Sequence, residues 1–580
     1  MKILRFLRLD ALLVAVFVGP GLARAQNGGS VGDLHPLVPS QTVALADGES
    51  VSGAGQAPVG VLTDEELKYL RNLAKAEKEK GDKKKDIEQN GYEVGTDLSL
   101  KSSMKDGLFT WLETPNKDFT MHLSLWTQWD NVWWNQSSGL KAGKGANAGL
   151  NKGANNQDVA SGATLGGIGD LQAGTYMRRI RPNVEGTFWE TGEYRFIPAF
   201  ENSQFATAGI DEMWVGMKEL PLFGRVRLGH VKNACGLEGD MTASSRCMTF
   251  MERSSYSEAI LMNQNFGTGV WINNNYLDER AASTFVIMRP DQGSSTDAFF
   301  GNGQYGLQAR LTALPMYEND GRDLLHLGVS GGYRNGTTNL ANVSGSVRAV
   351  QLRAREEMRD DVPGGGLVNG DANRMVDTGV LASDEQWLMG LETLYIRGPL
   401  SLQAEYGWNC VNNVTGVFNP YAASPSGYFA PLATPQAYVF SGGYLQVAYS
   451  LTGEARGYDR GVGSLARSYF GKTGPFRNAC WVRDEDGNLI SSWGAWEIAS
   501  RISYVNLNNG TGLTAVRGGE MQGFGLALNW YLNSNLTINF DWNYDERYNL
   551  PVSSAAPNDP TKSSIPGSTS GFGTRVQFQF

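Results

Sequence analysis

Repeated strict alternation of apolar and polar side chains limits this chain to few folds. In residues 400–409, Leu400, Leu402, Ala404, Tyr406 and Trp408 fall on one face, and Ser401, Gln403, Glu405, Gly407 and Asn409 on the other. Leu536, Ile538, Phe540, Trp542 and Tyr544 alternate with Thr537, Asn539, Asp541 and Asn543. The pattern recurs in residues 325–334, in 496–504 with an interruption at Ser500, and in 524–530. Neighbouring side chains of a strand point to opposite faces, so a period of two means β-structure with one apolar side. Segments of about nine or ten such residues, ending in aromatics, are the pattern of strands that cross a bilayer at a tilt.

Further strand candidates begin near Phe119, Tyr176, Tyr194, Met213, Val226, Thr268, Ala282, Tyr305, Val347, Trp387 and Tyr444. The count falls between about 16 and 18, a size that leaves an aqueous lumen. Short turns such as Arg397-Gly398-Pro399 and Asn533-Ser534-Asn535 are expected on the periplasmic side, and the long Gly/Asn/Ser-rich stretches 138–174, 335–346 and 455–491 outside. The final residues, Thr574-Arg575-Val576-Gln577-Phe578-Gln579-Phe580, alternate and end on phenylalanine, an ending that resembles the assembly signal of bacterial outer-membrane proteins. The expected fold is all-β: a transmembrane antiparallel β-barrel of about 16 strands over residues 118–580, preceded by a short periplasmic helix.

Composition removes the main competitors. Beyond residue 25 no apolar run approaches the roughly 18–20 residues that a membrane helix needs. With 50 Lys+Arg against 59 Asp+Glu, a net charge of −9, the chain lacks the positive surface expected of a nucleic-acid binder. Residues 1–25 have the layout of a cleaved secretory signal, with Lys2, Arg5 and Arg8, an apolar run at 11–18, and Ala23-Arg24-Ala25 before Gln26. Residues 26–60 read as a flexible linker.

Thr63-Asp64-Glu65-Glu66 is a capping box opening a helical segment at 61–90, followed by a connector at 91–117. That helix is a candidate for self-association or for contact with peptidoglycan, or a solvated spacer. Cys235 and Cys247 are close enough in sequence to pair across a loop, whereas Cys410 and Cys480 have no evident partner.

If the apolar parity faces lipid, the other parity lines the pore. It holds Arg179, Arg181, Asn183, Glu185, Arg225, Arg227, Arg310, Arg353, Arg355, Arg501 and Arg575, with Glu201, Glu392, Glu405, Glu497 and Asp541. Arg178 falls on the lipid parity, where it must snorkel or sit in a bulge. Luminal guanidiniums attract anions and match phosphate or carboxylate geometry. The alternative is that arginines and carboxylates pair across the wall and stiffen it.

The run Arg178-Arg179-Ile180-Arg181 is followed by Asp211-Glu212-Met213-Trp214-Val215-Gly216, Arg225-Val226-Arg227-Leu228-Gly229-His230-Val231-Lys232, Ser244-Ser245-Arg246 and Phe250-Met251-Glu252-Arg253-Ser254. In order and spacing these motifs resemble the phosphate-selective porin O/P family of outer-membrane channels. The similarity extends through Gly494-Ala495-Trp496-Glu497 and Leu528-Asn529-Trp530-Tyr531-Leu532.

The resemblance implies a sixteen-stranded homotrimer embedded in outer-membrane lipid, with one loop folded inward as an anion-binding constriction. It sets Ser244, Ser245 and Arg253 at the constriction and Arg178 and Arg179 on a conducting ladder, whereas parity favours Arg179 and Arg181. Arg227, Lys232 and Arg246 complete the pore candidates. Met241-Thr242-Ala243 precedes the serines without the lysine that strongly phosphate-selective members carry.

Histidines 35, 122, 230 and 326 are isolated and show no metal-ligand spacing, so neither metal nor cofactor is expected. Gly471-Lys472-Thr473 lacks the first glycine of a phosphate-binding loop, with Ala466 in its place. The expected function is passive diffusion of small hydrophilic solutes, preferentially anions such as phosphate, and not catalysis. The alternative is a structural or adhesive barrel with a blocked lumen.

Overall fold

The computed structural model describes residues 98–580 except 106–108, 142–167, 169–170, 172, 202–207, 240–245, 262–265, 292–304, 336–348, 360–373, 420–427, 466–476, 484–486, 512–513 and 549–565. The expected signal, linker and helical segment lie outside the described residues.

Sixteen antiparallel strands close on themselves. The first five are β1 (Thr120–Gln136), β2 (Gly174–Phe188), β3 (Gly192–Glu201), β4 (Ala208–Leu220) and β5 (Gly224–Lys232). Next come β6 (Phe266–Tyr276), β7 (Ala281–Asp291), β8 (Gly306–Glu318), β9 (Asp323–Arg334) and β10 (Glu385–Arg397). The last six are β11 (Leu400–Asn419), β12 (Tyr428–Ser450), β13 (Ala495–Asn509), β14 (Val516–Tyr531), β15 (Leu536–Tyr548) and β16 (Gly567–Gln579). Closure runs through β16 and β1, with Thr569 opposite Gln136 and Gln577 opposite Gln128. The Phe580 and Leu125 backbones exchange hydrogen bonds at 3.0 and 3.3 Å and extend that seam.

Alternation sorts the wall as expected. Ile498, Leu526, Leu311 and Phe572 are exposed on the outside, where a water-soluble protein would not leave a continuous apolar surface. Aromatic pairs mark both rims: Trp496 and Trp530 stack at 5.0 Å, and Tyr333 lies 4.8 Å from Trp387 at the other end. Such belts sit at the two membrane–water interfaces. Gln128, Asn409, Arg501, Asp541 and Arg575 are buried on the inside.

Two expectations are corrected. The strand expected near Val347 is not part of the wall. Ala349–Val350 pairs with Val380–Ala382, which adds to the far end of β11, while Arg353 and Arg355 belong to a segment inside the barrel. The connection that includes 455–491 leaves β12 on the short-turn side, not outside. Leu400 pairs with Tyr449, so β12 ends at the rim where β11 begins, and the connection to β13 must start there. Composition marks a long connection, but strand direction decides its side.

The lumen is partly filled. Tyr256, Ile260 and Leu261 from the 233–265 loop, with Leu352, Met375 and Val376, pack on inward wall residues Val411, Val414, Tyr438, Val505 and Met521. Each such side chain contributes about 1.5–3 kcal/mol when withdrawn from water. This explains why the loop-side ends of β11 to β14 are apolar on both faces: loops cover the inside and lipid the outside.

Candidate functional site

The pairing of β1 with β2 slips between Gln128, opposite Arg179, and Trp129, opposite Met177, leaving Arg178 as the extra residue of a bulge. A bulge resets alternation, so two consecutive side chains share one face. Both Arg178 and Arg179 are buried inside the barrel, at 4% and 5% exposure. Of the two readings open for Arg178, a snorkelling side chain or a bulge, the structure shows the bulge; a strand without the slip would turn it to lipid at a cost of about 2–4 kcal/mol.

The bulge aims both arginines at Glu252, carried by the inward loop. Arg178 Nε donates to Glu252 Oε1 at 2.9 Å, Arg575 Nη2 reaches the same oxygen at 2.9 Å, and Arg179 Nη1 stands 3.7 Å from it. Arg359 Nε approaches Glu252 Oε2 at 3.7 Å. Burial pushes the Glu252 carboxyl up, but Arg178, Arg179, Arg575 and Arg359 outweigh it and hold it well below the usual range. Arg575 also grips Asp130 through Nε and Nη2, each at 2.7 Å. Within this cluster four guanidiniums gather around two carboxylates, Glu252 and Asp130, and Glu258 acts on Arg359 from the inward loop.

Other predicted residues fall into buried pairs, within the wall or between the wall and the inner segment. Arg181 and Lys232 share Asp211, each at 2.5 Å. Arg227 donates to Glu193 at 2.8 Å and lies between the rings of Trp214 and Trp271, 4.0 and 4.5 Å from their centroids. Arg310 meets Glu392 at 2.6 Å and Arg501 meets Glu357 at 2.7 Å. Removing one partner of such a buried pair strands the other charge, so these residues brace the wall.

Arg246 lies over the Trp126 ring at 4.7 Å and, with Arg575, Asn539 and Gln577, lines a small open cavity. Arg253 Nε donates to the Glu238 carbonyl at 2.7 Å and ties the loop to itself. Ser244 and Ser245 lie outside the described residues. Cys235 and Cys247 are free thiols, so the expected bridge is absent; they pack in separate apolar clusters.

Sequence reasoning missed the two carboxylates of the arginine cluster. Glu252 stood inside a quoted motif without a role, and Asp130 was not singled out. It also missed a latch on the turn side. His326 contacts Tyr458 Oη through Nδ1 at 2.7 Å and Glu392 Oε1 through Nε2 at 3.1 Å. Arg310 Nη2 donates to the Gly463 carbonyl at 2.8 Å, and Arg456 Nη2 to the Cys247 carbonyl at 2.8 Å. These contacts draw residues 454–465 into the barrel against the 233–265 loop.

Among known proteins, an uncharacterized protein of Caulobacter vibrioides is 25% identical over 301 residues, 50% of this chain and 48% of that one. The chain thus spans about half the length of that relative. Porin O of Pseudomonas aeruginosa is 25% identical over 392 residues, 64% of this chain and 76% of its own length. The anion-selective porin from Comamonas acidovorans has a similar barrel at 8% identity and a TM-score of 0.41, covering 80% of this chain and all of that one. The family described as Phosphate-selective porin O and P matches residues 154–580, the greater part of the barrel, and the chain belongs to that family of outer-membrane porins.

Proposed function

We propose that this barrel is a passive, anion-preferring pore, assembled as a homotrimer after loss of residues 1–25. The observation that carries the reading is the meeting of Arg178, Arg179, Arg359 and Arg575 around Glu252, where the inward loop touches the wall. Fixed guanidiniums at a narrowing replace part of an anion's hydration and repel cations. Arg246, beside Arg575 in the cavity on the turn side of that cluster, offers a second positive station, and solutes move down their gradient.

Porin O of Pseudomonas aeruginosa and the anion-selective Comamonas porin support the reading by their names. Planar-bilayer recording of purified protein tests it. Stepwise conductance is expected, with an unheated gel band at three times the subunit mass. The apolar filling around Tyr256 and Leu352 favours a second reading, a closed barrel with a structural role. Absence of conductance steps would select it.

A further inference from the structure

We infer that the hairpin formed by Cys480–Arg483 and Leu489–Ser492 lies on the phospholipid leaflet at the turn side of the barrel, as a membrane-interface anchor outside the sixteen-stranded wall. The inference rests on reading the barrel as a membrane pore.

Register defines the hairpin's faces. Trp481 pairs with Ser491 and Arg483 with Leu489, so these four side chains share one face, and Trp493 continues its parity. Cys480, Val482, Ile490 and Ser492 form the other. On the first face Trp481 is 73% exposed, Leu489 62% and Trp493 77%. Tryptophan and leucine with one arginine is the mixture that settles where acyl chains meet headgroups, the arginine reaching outward to phosphate.

Position identifies the occupant. The Trp493 carbonyl accepts from the indole of Trp496 at 3.1 Å and of Trp530 at 2.6 Å. Those stacked indoles are the lipid-facing belt at the turn-side rim. The Ala479 amide donates to the Leu532 carbonyl at 2.6 Å, fixing the hairpin's base on the β14–β15 turn. The hairpin's base is thus held at the lipid-facing belt of the rim. The same connection between β12 and β13 sends residues 454–465 into the lumen, so it straddles the rim.

Nitroxide accessibility in the full-length protein tests this. In a Cys410→Ser, Cys480→Ser background, in which Cys235 and Cys247 are buried, one label is attached at Ser491→Cys and another at Ile498→Cys on the wall. In vesicles of phosphatidylethanolamine and phosphatidylglycerol, both labels are expected to collide more with oxygen than with an aqueous nickel chelate. Adding Trp481→Ser and Trp493→Ser is expected to reverse that ratio at the Ser491→Cys label alone. A nickel-biased hairpin label beside an oxygen-biased wall label overturns the inference and spares the pore. Dipolar broadening at the hairpin, relieved by dilution with unlabelled protein, also overturns it, because a second copy then covers the face. A nickel-biased wall label sinks the membrane reading and this inference with it.

Discussion

Arg178 Nε donates to Glu252 Oε1 across 2.9 Å, and this contact joins a bulge in the wall to the loop that narrows the lumen. Without the slip between Gln128 and Trp129 the side chain would point to lipid. The loop would then lose a partner and the lumen a positive charge.

Glu252→Gln keeps the side chain's shape and removes its charge. The four surrounding guanidiniums then lose the carboxylate they share. Chloride preference in asymmetric KCl is expected to rise. Stability falls by about 3–5 kcal/mol, the usual effect of breaking a buried pair from one side. Reversal potentials and denaturant titration measure the two effects separately.

Acid is expected to loosen the inward loops. Burial pushes the Glu258 carboxyl up, but Arg374, Arg359 and Arg355 more than offset this and hold it at about 2, below its ordinary 4.5. A depressed carboxyl stabilises fully above the ordinary value and loses that contribution as pH falls toward the folded one. Current noise from loop motion should therefore grow reversibly between about pH 4.5 and 2. Glu258→Gln should show such noise already at neutral pH, and a flat response would remove the pair from loop retention.

Tyr458→Phe deletes the hydroxyl that meets His326 Nδ1 and leaves a buried ring nitrogen unpaired. That change costs about 1–3 kcal/mol. The 454–465 segment should leave the lumen more often, raising mean single-channel conductance without reversing ion preference.

Thiol chemistry checks the unbonded cysteines. Burial pushes the Cys235 thiol up to about 12, with Glu392 adding to it and Arg334 and Arg310 opposing, so it should resist maleimide in the folded pore. Exposed Cys480 should react readily. Unfolding without reductant should release all four thiols, and two missing thiols would restore a bridge.

Much of the wall was legible because lipid outside and water inside impose alternation on residues such as 536–544, and β15 follows it residue by residue. A charged residue on the lipid parity flagged a snorkelling side chain or a bulge at Arg178, but alternation alone could not choose between them. Nor does it distinguish an inner wall covered by water from one covered by a loop, and this produced the false strand near Val347. Glu392, the partner of Arg310, was read as inward-facing, but the two carboxylates of the arginine cluster, Glu252 and Asp130, were not. Asp130 and Arg575 meet across the closing seam between β16 and β1, a contact created by closure over 445 positions of chain.

The central claim is that Arg178 and Arg179 make the lumen selective. Reversal potential across a KCl gradient tests it most directly, comparing the unmodified pore with Arg178→Gln/Arg179→Gln. Chloride should be favoured in the first, with the ratio falling toward one in the second. Equal ion ratios in the two pores, or a potassium preference in the unmodified pore, would contradict the account.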